Sequence, residues 1–171
     1  MAVDPHNTEA VARLFAQKKR AREKPLALLA SNLSQIIPFL REKIPTLPLL
    51  AENFWPGKLT IVLPIDLETI PPIVRARRDC VGFRVPKRRD LRQLLFLTGP
   101  LAVTSANLSG SPPLFKRKEL EKTFPFPLFS SDFFGTGTPS TVIAYREGNW
   151  SLLREGEISF SFLRKFLREA I

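Results

Sequence analysis

The chain has 171 residues, 44% of them hydrophobic and 10% aromatic, which suits one domain with a substantial core and leaves too little length for two full domains. Its 26 Lys+Arg against 16 Asp+Glu give a formal charge of +10, a field that attracts RNA, DNA or nucleotides, although surplus cations also serve merely to solvate a surface. The single cysteine, Cys80, excludes an internal disulfide and a cysteine-cluster metal site and points to a reducing cytoplasm, and no run approaches the roughly 20 apolar residues that cross a bilayer.

Residues 8–18 carry Val11, Leu14 and Phe15 at helical spacing, with Asn7 or Thr8 as the cap and Glu9 in the first turn. The apolar run 26–30 reads as a buried strand, after which Ser31 and Asn32 are expected to cap a second helix carrying Ile36, Ile37 and Leu40. Trp55-Pro56-Gly57 is a turn, 59–63 a strand and 70–74 a proline-rich connector. A strand over 81–85, a helix over 90–97 and a strand over 101–103 follow. The last runs into the polar turn 104–110, ahead of a short charged helix at 116–123. Residues 141–145 and 150–154 flank Glu147-Gly148-Asn149 as a hairpin, and 159–169 is an amphipathic helix. This alternation predicts an α/β domain with a mixed sheet and helices packed on it.

Several chemistries lack their parts. His6, the sole histidine, lies close to the terminus, which disfavours a Ser-His-Asp triad or a multi-histidine metal site. No Walker sequence or Gly-x-Gly-x-x-Gly fingerprint occurs, so a nucleotide must be held by side-chain cations and hydroxyls. Cys80 in its arginine-rich stretch reads as a packed thiol or an activated thiolate, with packing favoured for want of a histidine partner.

Four segments remain. Lys18-Lys19-Arg20-Ala21-Arg22-Glu23-Lys24 crowds five cations at a helix end, where they suit the helix dipole or a bound polyanion. Thr104-Ser105-Ala106-Asn107-Leu108-Ser109-Gly110 gathers hydroxyls, an amide and a glycine directly after a strand, the place where α/β sheets bind ligands. An ordinary Asx or Ser/Thr turn would look similar. Pro139-Ser140-Thr141 opens a strand with two hydroxyls, opposite Leu153-Arg154-Glu155-Gly156. Arg84, amid apolar neighbours in Gly82-Phe83-Arg84-Val85-Pro86, needs an anionic partner, either a ligand or a protein carboxylate.

Taken in order, these segments, together with Lys24-Pro25 and Trp55-Pro56-Gly57 followed by Leu59-Thr60, resemble the YrdC-like family of threonylcarbamoyl-AMP synthases over nearly the whole chain. The resemblance implies a twisted mixed sheet around a positive cavity. It also implies a Mg²⁺-assisted reaction of L-threonine, bicarbonate or CO₂, and ATP that yields threonylcarbamoyl-AMP and pyrophosphate. A downstream enzyme would transfer the threonylcarbamoyl group to tRNA, and tRNA or double-stranded RNA is an expected partner. By motif, Lys18 and Arg20 would neutralise phosphate charge, and Ser105 and Asn107 would hold phosphate and carbamoyl oxygens. Arg84 would pair with the threonine carboxylate, Ser140 would bond a phosphate oxygen, Arg154 would lie against the adenylate, and Lys24 would add a nearby cation. The family's Thr-x-Thr-x-Tyr-Gly-Leu segment has no counterpart before Thr8, so the expectation is one YrdC-like domain over 1–171 without its first strand. The competing expectation is a non-catalytic RNA-binding module whose affinity falls steeply with salt.

Overall fold

The computed structural model describes residues 1–112, 114, 116–124, 127 and 138–169. Among them the strands β1 (Ala2–Val3), β2 (Ala27–Leu29), β3 (Leu59–Pro64), β4 (Cys80–Arg84), β5 (Leu101–Val103), β6 (Thr141–Arg146) and β7 (Asn149–Arg154) form one sheet. Its order is β1-β5-β2-β4-β3-β6-β7. β2 pairs parallel with β4 and β3 with β6, while the remaining neighbours are antiparallel. The expected mixed α/β architecture is therefore observed.

Strand alternation divides the sheet into two unlike faces. Ala102, Leu28, Phe83, Ile61 and Ile143 lie side by side across five strands and are all fully buried. The helices are α1 (Thr8–Gln17), α2 (Leu47–Phe54), α3 (Pro72–Arg75), α4 (Arg89–Thr98), α5 (Arg117–Thr123) and α6 (Phe160–Glu169). Val11, Leu14 and Phe15 of α1, Leu47 and Leu50 of α2, Val74 of α3, and Leu163 and Leu167 of α6 join the same apolar cluster. Each such side chain contributes about 1.5–3 kcal/mol on burial.

The opposite face is open and mostly half-buried. Leu101, Leu29 and Arg84 form a row across β5, β2 and β4, and Thr60, Val142 and Arg154 continue it across β3, β6 and β7. One step along, Val103, Ala27, Gly82, Val62 and Ala144 make a floor of small side chains. Arg154 reaches this face through a β-bulge: Ile143 is opposite Leu152 but Val142 is opposite Arg154, which leaves Leu153 as the extra residue. Unbroken alternation would have placed Arg154 on the core side with Trp150 and Leu152. Glu147 and Gly148, with φ of 49° and 81°, supply the tight hairpin turn before it.

Three expectations change. The helix predicted after Ser31 and Asn32 is instead a pair of 3₁₀ turns, Leu33–Gln35 and Ile37–Phe39. Asn32 does cap the first, accepting from Gln35 N at 3.2 Å, but Pro38 has no N–H with which to continue an α-helix. The connector at 70–74 closes into the one-turn α3, ended by Ala76 at φ 52°. The helix α2 falls in a stretch, 41–54, for which the sequence patterns predict no element.

Candidate active site

At one end of the open face, α1 stops where Lys19 adopts φ 50°, a left-handed residue that reverses the chain. The reversal turns Lys18 inward. Its residue is only 1% exposed. Its ammonium donates to the carbonyl of Ser105, to the carbonyl of Asn107 at 2.6 Å and to Asn107 Oδ1 at 3.1 Å. All three N–H groups are thus spent on the turn after β5. That turn is further closed by Ser105 Oγ donating to Asn107 Oδ1 at 2.5 Å, Asn107 Nδ2 donating to Ser111 O at 2.6 Å, and Ser109 N donating to Lys18 O at 2.9 Å. Burial, then the nearby Arg20 charge, pulls the Lys18 pKa down to about 8. Arg20 donates to the carbonyls of Lys24 at 3.3 Å and Pro25 at 2.9 Å, and burial lowers its pKa too.

At the other end, the row on the sheet brings Arg84, Thr60, Ser140 and Arg154 together. Thr60 and Ser140 hydroxyls share a hydrogen bond at 2.8 Å. Arg154 donates to Ser140 O at 2.9 Å and to Ser140 Oγ at 3.2 Å. Arg84 Nε donates to Gly57 O at 2.8 Å, and no carboxylate pairs with Arg84 among the described residues. Burial first, then the Arg154 charge, lowers the Arg84 pKa, against a smaller opposing pull from Glu157. Glu157 is itself held by Lys58. Gly156 fixes the start of β6: a Cβ there would lie 2.5 Å from Pro139 O and 2.6 Å from Thr141 N.

The structure therefore groups Lys18, Ser105 and Asn107 directly, with Arg20 beside them, and groups Arg84, Ser140 and Arg154 separately. From Arg84 to Ser105 is about two strand spacings across and four residues along, roughly 15 Å, the span of an extended nucleotide with a small substituent. Lys18 and Arg84 are each partly stripped of water beside a second cation, Arg20 and Arg154 respectively, a repulsion that a bound anion would reverse. Lys24 contributes its carbonyl to Arg20, and its side chain is not drawn into either group. Thr60, named in the sequence only as part of the Leu59-Thr60 motif and given no role, is set beside Ser140 by strand register. Cys80 lies off both groups, and burial followed by the adjacent Asp79 carboxylate raises its thiol pKa, over the pull of Arg146 and Arg78, so it is no activated thiolate.

Residues 1–156 match the model of a protein family, Sua5/YciO/YrdC, which bears the description "telomere recombination". The chain belongs to this family. A relative from Stutzerimonas stutzeri named threonylcarbamoyl-AMP synthase is 36% identical over 149 residues, 85% of this chain and 80% of that one. A threonylcarbamoyl-AMP synthase of Pseudomonas aeruginosa is 38% identical over 125 residues, covering 72% of this chain and 66% of its own. The crystal structure of Pyrococcus abyssi Sua5 complexed with L-threonine superposes with a TM-score of 0.82 at 29% identity, covering 96% of this chain and 49% of that one. The chain thus spans about half the length of that Sua5 protein. Escherichia coli YciO shares the fold, with a TM-score of 0.75 at 21% identity. Within the Sua5/YciO/YrdC fold, both polar groups lie on the sheet face opposite the hydrophobic core.

Proposed function

We propose that this family member is a threonylcarbamoyl-AMP synthase. The observation that carries the reading is the pair of cation groups, buried Lys18 with half-buried Arg20 and half-buried Arg84 with exposed Arg154, set at two ends of one open face floored by Gly82, Ala27 and Ala144. Relatives that cover most of this chain bear the same name, which supports it.

Threonine and bicarbonate condense, with loss of water, to the N-carboxylate of threonine. One oxygen of that carbamate attacks the α-phosphorus of ATP, the bond to the β-phosphate breaks, and pyrophosphate leaves. The attacking group comes from the substrates, so the protein needs no covalent nucleophile; it supplies alignment and charge. Arg84 holds the threonine carboxylate, while Ser140 and Arg154 bind the adenylate. Lys18 fixes the Ser105–Asn107 turn, which presents hydroxyl and amide groups to phosphate and carbamoyl oxygens. Arg20 adds the second charge at the triphosphate. Among the described residues no three His, Cys, Asp or Glu side chains cluster as a metal site; Mg²⁺ arrives on ATP, as part of the substrate. In this reading the threonylcarbamoyl group then passes to tRNA through a partner enzyme.

The test is mass spectrometry of a reaction containing the chain, Mg-ATP, L-threonine and bicarbonate. Threonylcarbamoyl-AMP, absent when either threonine or bicarbonate is left out, is the expected product. A folded chain that binds ATP and threonine yet forms none would refute the assignment.

A further inference from the structure

Away from that face, where β2 ends and α4 begins, a surface hollow of about 670 Å³ is lined by Ser31, Asn32, Arg89, Arg92, Phe96 and Leu97, with Gln93. None of the residues assigned above lines it. Its wall holds two polar groups, the Ser31 hydroxyl and Arg92 Nε, both shut off from solvent and without a hydrogen-bond partner among the described residues. Ser31 is 8% exposed. A buried donor left in that state is destabilising, so its retention asks for a ligand.

The surroundings state the charge of that ligand. Arg89 and Arg92 have no carboxylate partner among the described residues, and both sit in the first turn or so of α4, where the helix dipole is positive and cations are disfavoured. Asp90, the one acid in that turn, is paired to Arg88. Glu52 lines the neighbouring hollow, which shares Ser31, Asn32 and Arg92 with this one, and it pairs with neither Arg89 nor Arg92 among the described residues. The frame is rigid: Gln35 accepts from Ser31 N at 2.8 Å and donates to Leu95 O at 3.0 Å, tying the end of β2 to α4. At the rim Phe96 and Leu97 are 70% and 83% exposed, an apolar shelf beside the guanidiniums.

We infer that this hollow is a second anion site, for the phosphate of a nucleotide whose base lies on Phe96. Two guanidinium forks and a hydroxyl match phosphate oxygens, an aromatic face stacks any base, and the volume fits a mononucleotide. A change of the Ser31 rotamer and a small swing of Arg92 bring both unpaired groups to the oxyanion. The nucleotide is either free or the 5′ end of an RNA strand.

Two probes separate these sources: AMP and a 5′-phosphorylated hexauridylate, each titrated into the isotope-labelled chain while the Arg92 Nε–Hε and Ser31 amide resonances are followed. Saturable shifts with either probe are expected, kept in Lys18→Ala, and with affinity about tenfold or more weaker in Arg92→Gln. Shifts with AMP alone assign a free nucleotide; shifts with the hexamer assign an RNA end. Ser31→Ala, a smaller change, gives the same loss should Arg92→Gln fail to fold. Unmoved resonances at millimolar probe, or binding abolished by Lys18→Ala and untouched by both Arg92→Gln and Ser31→Ala, would overturn the inference. Since the readout is binding at α4, it stands or falls separately from synthase activity.

Discussion

The two ends of the open face solve the same problem by different means. At the α1 end one buried ammonium holds three oxygens of a loop, so geometry depends on a single side chain. At the β6–β7 end, backbone pairing, a bulge and the close contact of Gly156 set Arg84, Ser140 and Arg154 in register before any side chain bonds. A site built on a loop should therefore fail abruptly when its one tie is cut, whereas a site built on a sheet should lose function in smaller steps.

The largest expected effect tests the first half of that contrast. Lys18→Ala leaves the carbonyls of Ser105 and Asn107 without their donor and removes a cation, and pyrophosphate formation should fall about 10²–10³-fold. Steady-state rates with a thermal melt check it; an unchanged rate would show that the turn keeps its shape unaided. Next, Arg84→Gln should raise the KM for threonine about tenfold to a hundredfold with the melting temperature little altered, since among the described residues a single bond, to Gly57 O, ties Arg84 to the protein. Gly156→Ala forces a methyl into the Pro139–Thr141 backbone and should cost about 1–3 kcal/mol in denaturant unfolding, with adenylate binding weakened through Ser140. Thr60→Val, which removes one hydroxyl bond, should cost about 1 kcal/mol and leave the fold intact.

A pH dependence carries opposite signs in two measurements. Because the Lys18 pKa is about 8 in the folded chain and 10.5 unperturbed, the unfolded chain holds that proton more tightly, and this residue's contribution to stability rises with pH between the two values. ATP affinity should fall over the same window, as the ammonium that supports the turn is lost. Difference curves between the wild type and Lys18→Met isolate both trends; parallel trends would mean that the two ends do not divide the work as described.

The sequence made one end far more readable than the other. The Lys18–Arg20 run and the Ser105–Asn107 turn are contiguous motifs, and both the helix before the first and the apolar strand before the second are local patterns. Arg84 stood out because a guanidinium among Val81, Phe83 and Val85 needs a partner. Its actual setting, a row with Thr60, Val142 and Arg154, depends on strand order and register, which no local window contains. The bulge at Leu153 was likewise hidden, since simple alternation points Arg154 into the core. Two prolines act in opposite directions: Pro38 breaks the helix expected after Ser31 into 3₁₀ turns, whereas Pro48 lies within an unanticipated helix, at its first turn, where a missing N–H costs nothing.

The central claim is that both ends grip one molecule. Titrating threonylcarbamoyl-AMP into the labelled chain while following Asn107 Nδ2 and Arg84 Nε resonances tests it most directly. One shared saturation curve at both atoms is predicted; a response at only one end, or two curves with different midpoints, would contradict it.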